Sequence, residues 1–457
     1  MKYIVILFFI STLLISCDKY LDITPKGYVI PSSYSDLDLV LNSVTLTTTG
    51  ANPLMKLSDD EDNLYIDPQS LVELDLTYLW DDDPTRDFTT NPAIWGEAYR
   101  NISTYNTVIT KIPRNVEDSV GRSILGQALV GRAYEYLYLV NLYGYIYNES
   151  SVNTDLGIPW MQSVDLASAI PNRGTIKDNY DSIITNIESF IPYLPDHNSN
   201  NRYRASKSSA YSILARTFLY MSRFDSASYY ASLASTGLDV LPLNTLDPQA
   251  DINTYRIAQF PSNIFLRINR SAIKNGPYFV DTSLTRLFDD TSDYRLKLRY
   301  LKSDYSTGID SLSLHTRGGI MTNIYPIEYN FGTTVEEMKL IIAEAAARNG
   351  DIDKAMQNVN LIIQNNVSPL SYKPLTTNSK DSALYYVIRE RRKQFAFTGL
   401  RWFDMRRLKG EGLIPTINRY DYDGNIIASL APNSWKYVLQ IPKQVYLLTP
   451  SIVLNPR

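Results

Sequence analysis

One segment of the chain combines aromatic rings with carboxylates and a guanidinium, side chains that can hold a ligand without reacting with it. Tyr65, Tyr78 and Trp80 stand close in sequence to Asp82 and Arg86. Rings pack on the apolar faces of a ligand, while polar groups at the rim hydrogen-bond to its hydroxyls. The mixture predicts a binding loop for a ligand that has both apolar faces and hydroxyl groups. The alternative is that Tyr78 and Trp80 form an apolar strand beneath the loop.

Further candidates for ligand contact lie outside this loop. Trp160 follows a Gly-Ile-Pro turn, and either a core role or a ligand contact suits that position. The others fall in an irregular stretch, where loops on a rigid scaffold present side chains to ligands. These candidates are Arg270, Tyr278, Phe279, Tyr294, His315 and Tyr325. We expect Trp95, Trp402 and Trp435 to be core residues instead.

The sequence carries none of the common catalytic or nucleotide-binding signatures. Its 2 histidines lack the paired spacing of a zinc site, and it has no nucleophile elbow and no phosphate loop. The acidic run Asp59–Asp62 with Asn63 offers oxygen ligands for calcium, but a solvated acidic turn is favoured because the spacing of a calcium loop is missing. The formal charge of −4 argues against nucleic-acid binding. We therefore predict a binding protein without a cofactor, and not an enzyme.

The single cysteine, Cys17, ends an apolar N-terminal run. Lys2 precedes the run and Ser16 places a small residue before the thiol, as in a bacterial lipoprotein signal. The run is shorter than the ~20 residues that span a bilayer, so we expect membrane attachment through lipid on Cys17. The predicted parts are a cleaved signal peptide over 1–16, a lipidated tether over 17–35 that is extended, and one body over 36–457.

Hydrophobic periodicity predicts a mostly α-helical body. Apolar residues recur at helical spacing over about 95–112, 123–143 and 176–194, and prolines or glycines bound these runs. Two later segments repeat at identical offsets, with small residues spaced as in tetratricopeptide helix pairs. The matching residues are Leu214, Ala215, Phe218, Ala227, Ala231 and Ala234 in one segment, and Ile342, Ala343, Ala346, Ala355, Val359 and Ile362 in the other.

Two further patterns concern the C-terminal third. The charged helix Val387–Gln394 could be a basic patch, but an apolar stripe of Leu384, Val387, Ile388 and Phe395 places Arg391 inward. A partner such as Glu390, Asp404 or a helix C-terminus is then required. The dipeptide Asp423-Gly424 predicts a hairpin turn. The predicted organisation is helical repeats over about 95–236 and 336–407, with loop-rich, ligand-binding parts over about 44–92 and 237–333.

An ordered set of motifs along the chain resembles the SusD/RagB family of nutrient-binding lipoproteins. The chain departs from the family pattern at Ile146, near which a proline is common, and at Trp160, where an aliphatic residue is commoner. The segments similar to family motifs are Cys17–Asp22 with Pro25, Trp95–Ile102 with Asn106, Ala128–Gly144, Gly157–Pro159, Lys207–Ala234, Met338–Ile363, Glu390–Arg407, Leu439–Pro442 and Asn455–Pro456.

The resemblance implies a SusD-like tetratricopeptide-repeat scaffold with long irregular loops and a few short strands. It implies a lipoprotein on the outer face of the outer membrane that binds oligosaccharide or polysaccharide and passes it to a SusC-like TonB-dependent barrel transporter. Two alternatives stay open. The same fold and transport role would serve a peptide or other non-glycan cargo, and an exported glycoside hydrolase would need two carboxylates about 5 to 10 Å apart across a cleft.

Overall fold

The computed structural model describes residues 31–49, 52–66, 71–81, 93–165, 170–250, 257–268, 278–288, 291–323 and 329–457. Over these residues the protein is mostly α-helical, as predicted, and its strands are short. The helices of the first half are α1 (Tyr34–Val40), α2 (Asn52–Leu57), α3 (Glu73–Tyr78), α4 (Ala93–Ile109), α5 (Ser119–Tyr143), α6 (Ile176–Glu188), α7 (Lys207–Tyr220) and α8 (Phe224–Ala234).

The second half alternates short irregular elements with long helices. Its helices are α9 (Thr282–Thr285), α10 (Tyr294–Arg299), α11 (Ser311–His315), α12 (Val335–Asn349), α13 (Ile352–Asn366), α14 (Lys380–Phe395), α15 (Leu400–Leu408) and α16 (Lys443–Leu448). Three antiparallel strand pairs complete the description. They are β1 (Asn263–Phe265) with β4 (Thr333–Thr334), β2 (Tyr300–Lys302) with β3 (Ile320–Thr322), and β5 (Ile417–Tyr420) with β6 (Ile426–Leu430).

Helix α5 runs through the centre of the body, and almost every side chain from Ile124 onward is buried. Its tyrosines are core residues with satisfied hydroxyls, because Tyr134 and Tyr138 both donate to the carbonyl oxygen of Phe331, at 2.8 and 2.7 Å. Gly131 lets helix α4 approach closely, since a Cβ there would lie 2.3 Å from the ring of Tyr105. The aromatic content of this helix therefore serves packing.

The predicted repeat pairs are confirmed as helix pairs α7/α8 and α12/α13, and α12 also packs on α8. The small residues that define the repeat are buried, with Ala215, Ala227 and Ala355 each 0 % exposed. A buried ion pair joins the two pairs, since the Arg216 guanidinium contacts the Glu337 carboxylate at 2.8 and 2.6 Å. Small side chains allow the helices to approach, and the ion pair sets how one pair lies on the next.

Helices α14 and α15 close the scaffold with further buried ion pairs. Arg391 points inward as predicted, and its Nε lies 2.8 Å from Oδ2 of Asp404. Trp402, 0 % exposed, and Trp95, 7 % exposed, are core residues as expected. Because α15 packs against the short helix α2, the end of the scaffold reaches the irregular N-terminal part of the body.

The irregular parts contain more helix than expected. The tether predicted over 17–35 does not stay extended to its end, since Ser33 caps helix α1 and accepts a hydrogen bond from the backbone N–H of Asp36 at 3.1 Å. The loop-rich part over 44–92 includes α2 and α3. The hairpin predicted at Asp423-Gly424 is confirmed between β5 and β6, where Gly424 takes a φ of +89° that favours glycine.

Candidate functional site

The acidic segment Asp59–Asp62 is buried and held by basic side chains from the C-terminal third, so the expectation of a solvated acidic turn is wrong. Arg401 pairs with both carboxylate oxygens of Asp59 at 2.6 and 2.7 Å. Arg392 donates to Oδ1 of Asp60 at 3.1 Å. The charges are neutralised inside the protein, because arginines from α14 and α15 reach a segment more than three hundred residues earlier.

The two aspartates respond in opposite ways to this environment. Burial on its own would raise the pKa of Asp59, but the charges of Arg392 and Arg401 outweigh it and hold the pKa below its ordinary value. Burial together with the Asp59 charge raises the pKa of Asp60 to about 6, although Arg392 opposes the rise. Asp59 is thus the fixed negative charge of the segment.

Arg419 on β5 holds the same segment from beneath. It is 2 % exposed, and its guanidinium donates to four backbone carbonyls at 2.7–3.1 Å. Its guanidinium also lies over the rings of Tyr78 and Trp80, at 4.0 and 4.3 Å from their centroids. The accepting carbonyls are those of Lys56, Ser58, Glu61 and Tyr78.

Arg317 ties this segment to the β5–β6 hairpin. Its Nε and Nη2 contact the Asp62 carboxylate at 2.7 and 3.0 Å. The same guanidinium donates to the carbonyls of Tyr420 and Asp421 at 3.1 and 2.6 Å. The hydrogen bonds to Asp62 raise the pKa of Arg317, which keeps the guanidinium charged. We call the contacts of Arg317, Arg392, Arg401 and Arg419 with residues 56–62 the arginine latch.

An exposed aromatic cluster, formed by Tyr65, Phe279 and Tyr422, adjoins the latch, because Asp62 hydrogen-bonds to the carbonyl of Phe279 and Arg317 donates to the carbonyl of Asp421. Tyr65 and Tyr422 are 72 % and 73 % exposed. The ring of Tyr65 lies 5.6 Å from that of Phe279, edge to face, and 6.4 Å from that of Tyr422, nearly parallel. Three aromatic side chains from distant segments thus share one surface, which can pack on the apolar face of a ligand.

Each ring of the exposed aromatic cluster stands on a fixed backbone. Asp62 donates its N–H to the carbonyl of Phe279 at 3.0 Å, which sets the segment of Tyr65 beside that of Phe279. Tyr422 sits in a tight turn closed by Asp421, whose carboxylate accepts from the backbone and side chain of Asn425 at 2.8 and 2.9 Å. These hydrogen bonds lower the pKa of Asp421, so the turn keeps its acceptor at neutral pH.

Three aromatic residues predicted to contact ligand are core residues instead. Tyr78, Trp80 and Tyr278 are 1 %, 3 % and 7 % exposed, so their rings do not face solvent. Trp80 donates its indole N–H to the carbonyl of Leu57 at 2.9 Å. The alternative of an apolar element beneath the loop is therefore the better description, although Tyr78 ends a helix and not a strand.

Two other residues that were predicted to contact ligand, Trp160 and Tyr294, lie away from the exposed aromatic cluster. Trp160 is half-buried and stacks on Tyr136 with ring centroids 3.8 Å apart. Tyr294 packs at the edge of a small apolar cluster, with the ammonium of Lys297 4.5 Å from its ring centroid. His315 ends α11, where its Nδ1 lies 2.7 Å from the carbonyl oxygen of Ser311. The remaining predicted residues, which lie outside the described residues, are Cys17, Asp82, Arg86, Arg270 and Tyr325.

Sequence reasoning singled out Tyr65 and Phe279 but missed Tyr422 and Arg317. The sequence did hold a signal for Tyr422, because it precedes the Asp423-Gly424 turn, where a large side chain is exposed to solvent. Arg317 gave no signal, because its partners are distant in sequence. Trp435 was expected in the core but is 59 % exposed.

Among the described residues, no set of three or more histidine, cysteine, aspartate or glutamate side chains is arranged to hold a metal ion. Within the same part of the chain, no helix has the length and apolar character needed to cross a bilayer.

Two family profiles match the chain. One, described as starch-binding and associating with the outer membrane, matches residues 19–219. The other, described as the SusD family, matches residues 336–456. No curated protein sequence matches significantly.

Solved structures with low sequence identity share the fold over nearly the whole chain. A putative sugar binding protein from Bacteroides vulgatus is 22 % identical, with a TM-score of 0.69 over 94 % of this chain and 99 % of that chain. A SusD superfamily protein from Bacteroides thetaiotaomicron is 18 % identical, with a TM-score of 0.72 over 93 % and 100 %. The surface glycan-binding protein A from Bacteroides uniformis is 16 % identical, with a TM-score of 0.68 over 93 % and 99 %.

Replacing Asp59 tests the arginine latch. We expect Asp59→Ala to lower the free energy of unfolding by about 3–5 kcal/mol, because it leaves Arg401 buried without its partner. The control Asp423→Asn, in the exposed hairpin turn, should leave the urea midpoint unchanged. Since folding lowers the pKa of Asp59, its contribution is complete above its ordinary pKa of 3.8 and is lost as the pH falls further. Equal urea midpoints for Asp59→Ala and wild type at pH 7 would contradict the latch.

Proposed function

The chain belongs to the SusD family, and on that premise we propose that it is a non-catalytic glycan-binding protein that captures oligosaccharide at the exposed aromatic cluster. The observation that carries the proposal is the pair of exposed rings of Tyr65 and Tyr422, whose centroids are 6.4 Å apart and which stand on a fixed base. Sugar rings present C–H faces to such platforms. A relative with the same fold is named a surface glycan-binding protein, which supports this class of ligand.

The polar surroundings of the exposed aromatic cluster also suit a sugar. Asp423 and Asn425 are exposed in the same turn as Tyr422 and offer acceptors and donors to hydroxyl groups. Hydrogen bonds of this kind at the rim fix which hydroxyls are recognised, while the rings supply apolar contact. The arrangement favours an uncharged or weakly charged saccharide over an anionic ligand, because the cationic side chains of the arginine latch already bind carboxylates or backbone carbonyls.

The buried carboxylates of the acidic segment Asp59–Asp62 give no support to glycoside hydrolysis. Such catalysis needs one carboxylate that protonates the leaving oxygen and a second that attacks or activates water. Asp59, Asp60 and Asp62 bind arginines, and Glu61 binds Lys56. These groups hold the loop in place and do not face a ligand, so binding without turnover is the function that the geometry supports best.

We further propose that lipid on Cys17 anchors the protein in the outer membrane, facing outward, beside a SusC-like TonB-dependent transporter that receives the glycan. The family profile described as associating with the outer membrane supports the location. In this proposal, Cys17 keeps the protein at the membrane, and the exposed aromatic cluster binds the glycan.

Removing the two exposed rings tests the glycan site. Residues 18–457 are screened against starch, xylan and mannan by affinity gel electrophoresis, and the best binder is measured by calorimetry. We expect Tyr65→Ala/Tyr422→Ala to weaken binding by about tenfold or more, since each aromatic contact contributes about 0.5–1.5 kcal/mol. The control Tyr229→Ala removes a ring on α8 that is 62 % exposed and should bind like wild type.

The screen also separates the cargo classes. Binding to tryptic peptides together with no binding to any glycan would replace the saccharide with a peptide cargo. Release of reducing sugar during the assay would favour the alternative that the protein is a glycoside hydrolase.

Replacing the cysteine tests the anchor. We expect Cys17→Ala to move the protein from the membrane fraction to the soluble fraction of cells while glycan affinity stays unchanged, because Cys17 is not a residue of the exposed aromatic cluster. Immunoblots of the two fractions check the change in location, and calorimetry of the released protein checks that its glycan affinity is unchanged. A Cys17→Ala protein that remains in the membrane fraction would overturn the lipid anchor.

A further inference from the structure

A cleft of about 730 Å³ opens on the surface, and none of its lining residues belongs to the exposed aromatic cluster. It lies between the segment that follows α5, the end of α15 and the segment that follows β6. Its volume falls in the range of clefts that bind small ligands. The residues that line the cleft include Tyr145, Tyr147, Asn148, Lys409, Asn433 and Trp435.

Trp435 is the most unusual side chain of the cleft. Of the 5 tryptophans of the chain, Trp80, Trp95 and Trp402 are 3 %, 7 % and 0 % exposed, whereas Trp435 is 59 % exposed. An indole held in water gives up the favourable free energy of burying its large apolar surface. A ring that lines a cleft recovers that free energy when a ligand covers it.

The backbone that carries Trp435 is fixed before any ligand arrives. Trp435 begins a short 3₁₀ turn in which the hydroxyl of Ser434 accepts from the N–H of Lys436 at 3.2 Å. The turn rests on Tyr437, which is 0 % exposed and stacks on Trp402 with ring centroids 5.3 Å apart. Little conformational freedom of this backbone is lost on binding, which favours affinity.

The polar groups of the cleft are largely paired with one another. The Tyr147 hydroxyl donates to the Glu149 carboxylate at 2.8 Å, and Arg223 lies 3.4 Å from the same carboxylate. The Lys409 ammonium donates to the carbonyl of Pro432 at 2.9 Å. Oδ1 of Asn148 accepts from the backbone N–H and the hydroxyl of Ser150 at 3.1 and 2.9 Å, so this amide offers N–H donors. Asn433 adds a second neutral amide to the lining. A rim of amides and hydroxyls beside an exposed ring suits an uncharged ligand rich in hydroxyl groups.

We propose that this cleft is a second carbohydrate subsite, in which the indole of Trp435 stacks on one sugar ring and the amides of Asn148 and Asn433 meet its hydroxyls. The inference rests on the proposed function, because it assigns the same class of ligand to a second place on the chain. Its consequence is avidity: a polysaccharide that reaches both sites binds more tightly than a short oligosaccharide that occupies one.

Fluorine NMR of residues 18–457 labelled with 5-fluorotryptophan tests the subsite directly. Trp435→Phe identifies the Trp435 resonance, and the buried Trp402 provides an internal reference. Maltohexaose, xylohexaose and mannohexaose are titrated in turn into the Tyr65→Ala/Tyr422→Ala protein, in which the first site is impaired. We expect the Trp435 resonance to shift with the hexaose whose polymer wild type binds, while the Trp402 resonance stays in place. Adding Trp435→Ala to that protein should weaken retention by the polymer in gels by a further factor of about ten.

The outcomes separate the two proposals. A Trp435 resonance that does not move at saturating hexaose, in a protein whose wild type binds the polymer, would overturn the second subsite and leave the proposed function standing. Absence of binding by wild type to all three polymers and all three hexaoses would overturn both. Circular dichroism of Trp435→Ala checks folding, and equal polymer retention with and without this substitution in a folded protein would also count against the subsite.

Discussion

The arginine latch is the constraint on which the binding surface depends. Four carboxylates in a row would repel one another and leave the segment in solvent, yet Asp60 is 0 % exposed and Asp59 is 5 % exposed. Burial of this kind is tolerated only when each charge has a close partner of opposite sign. Because the partners come from α14, α15 and the α11–β3 connection, the acidic segment has one position relative to the scaffold. Tyr65 lies three residues beyond Asp62, so fixing the acidic segment also fixes the place of Tyr65.

The helical scaffold fixes the latch in turn. Helix α5 is buried on nearly all sides. Helices α4, α6 and α7 pack on it, and α12 packs in turn on α8 of the α7/α8 pair. Arg391, inward on α14, pairs with Asp404 on α15, which sets the angle between the two helices that carry Arg392 and Arg401. An order of dependence follows. Helix packing places Arg392 and Arg401, the arginine latch places the acidic segment, and that segment places Tyr65 beside Tyr422 of the β5–β6 turn.

The sequence was enough to predict the scaffold, because its signals are local. Alanines at matching offsets in α8 and α13 record the close approach of helices. The stripe on α14 correctly placed Arg391 inward, and the structure shows Asp404 as its partner among the candidates that the sequence left open. It was not enough to predict the site, because the same residue types serve two purposes. Tyr78 and Trp80 looked like a ligand platform, but their partner is Arg419, some three hundred and forty residues later in the chain. The chain has 35 tyrosines and 14 phenylalanines. Some of these tyrosines are core residues, such as Tyr134 and Tyr138, whose hydroxyls donate to one distant carbonyl.

The most direct test of this account is the glycan affinity of Arg317→Ala, measured by calorimetry with the polymer that wild type binds best. Arg317 joins Asp62 to the β5–β6 hairpin but does not belong to the exposed aromatic cluster. Its loss should therefore disturb the placement of Tyr65 relative to Tyr422 and leave both rings present. We predict binding about tenfold weaker than wild type, which corresponds to about 1.4 kcal/mol. An affinity equal to that of wild type would contradict the claim that the latch positions the binding surface.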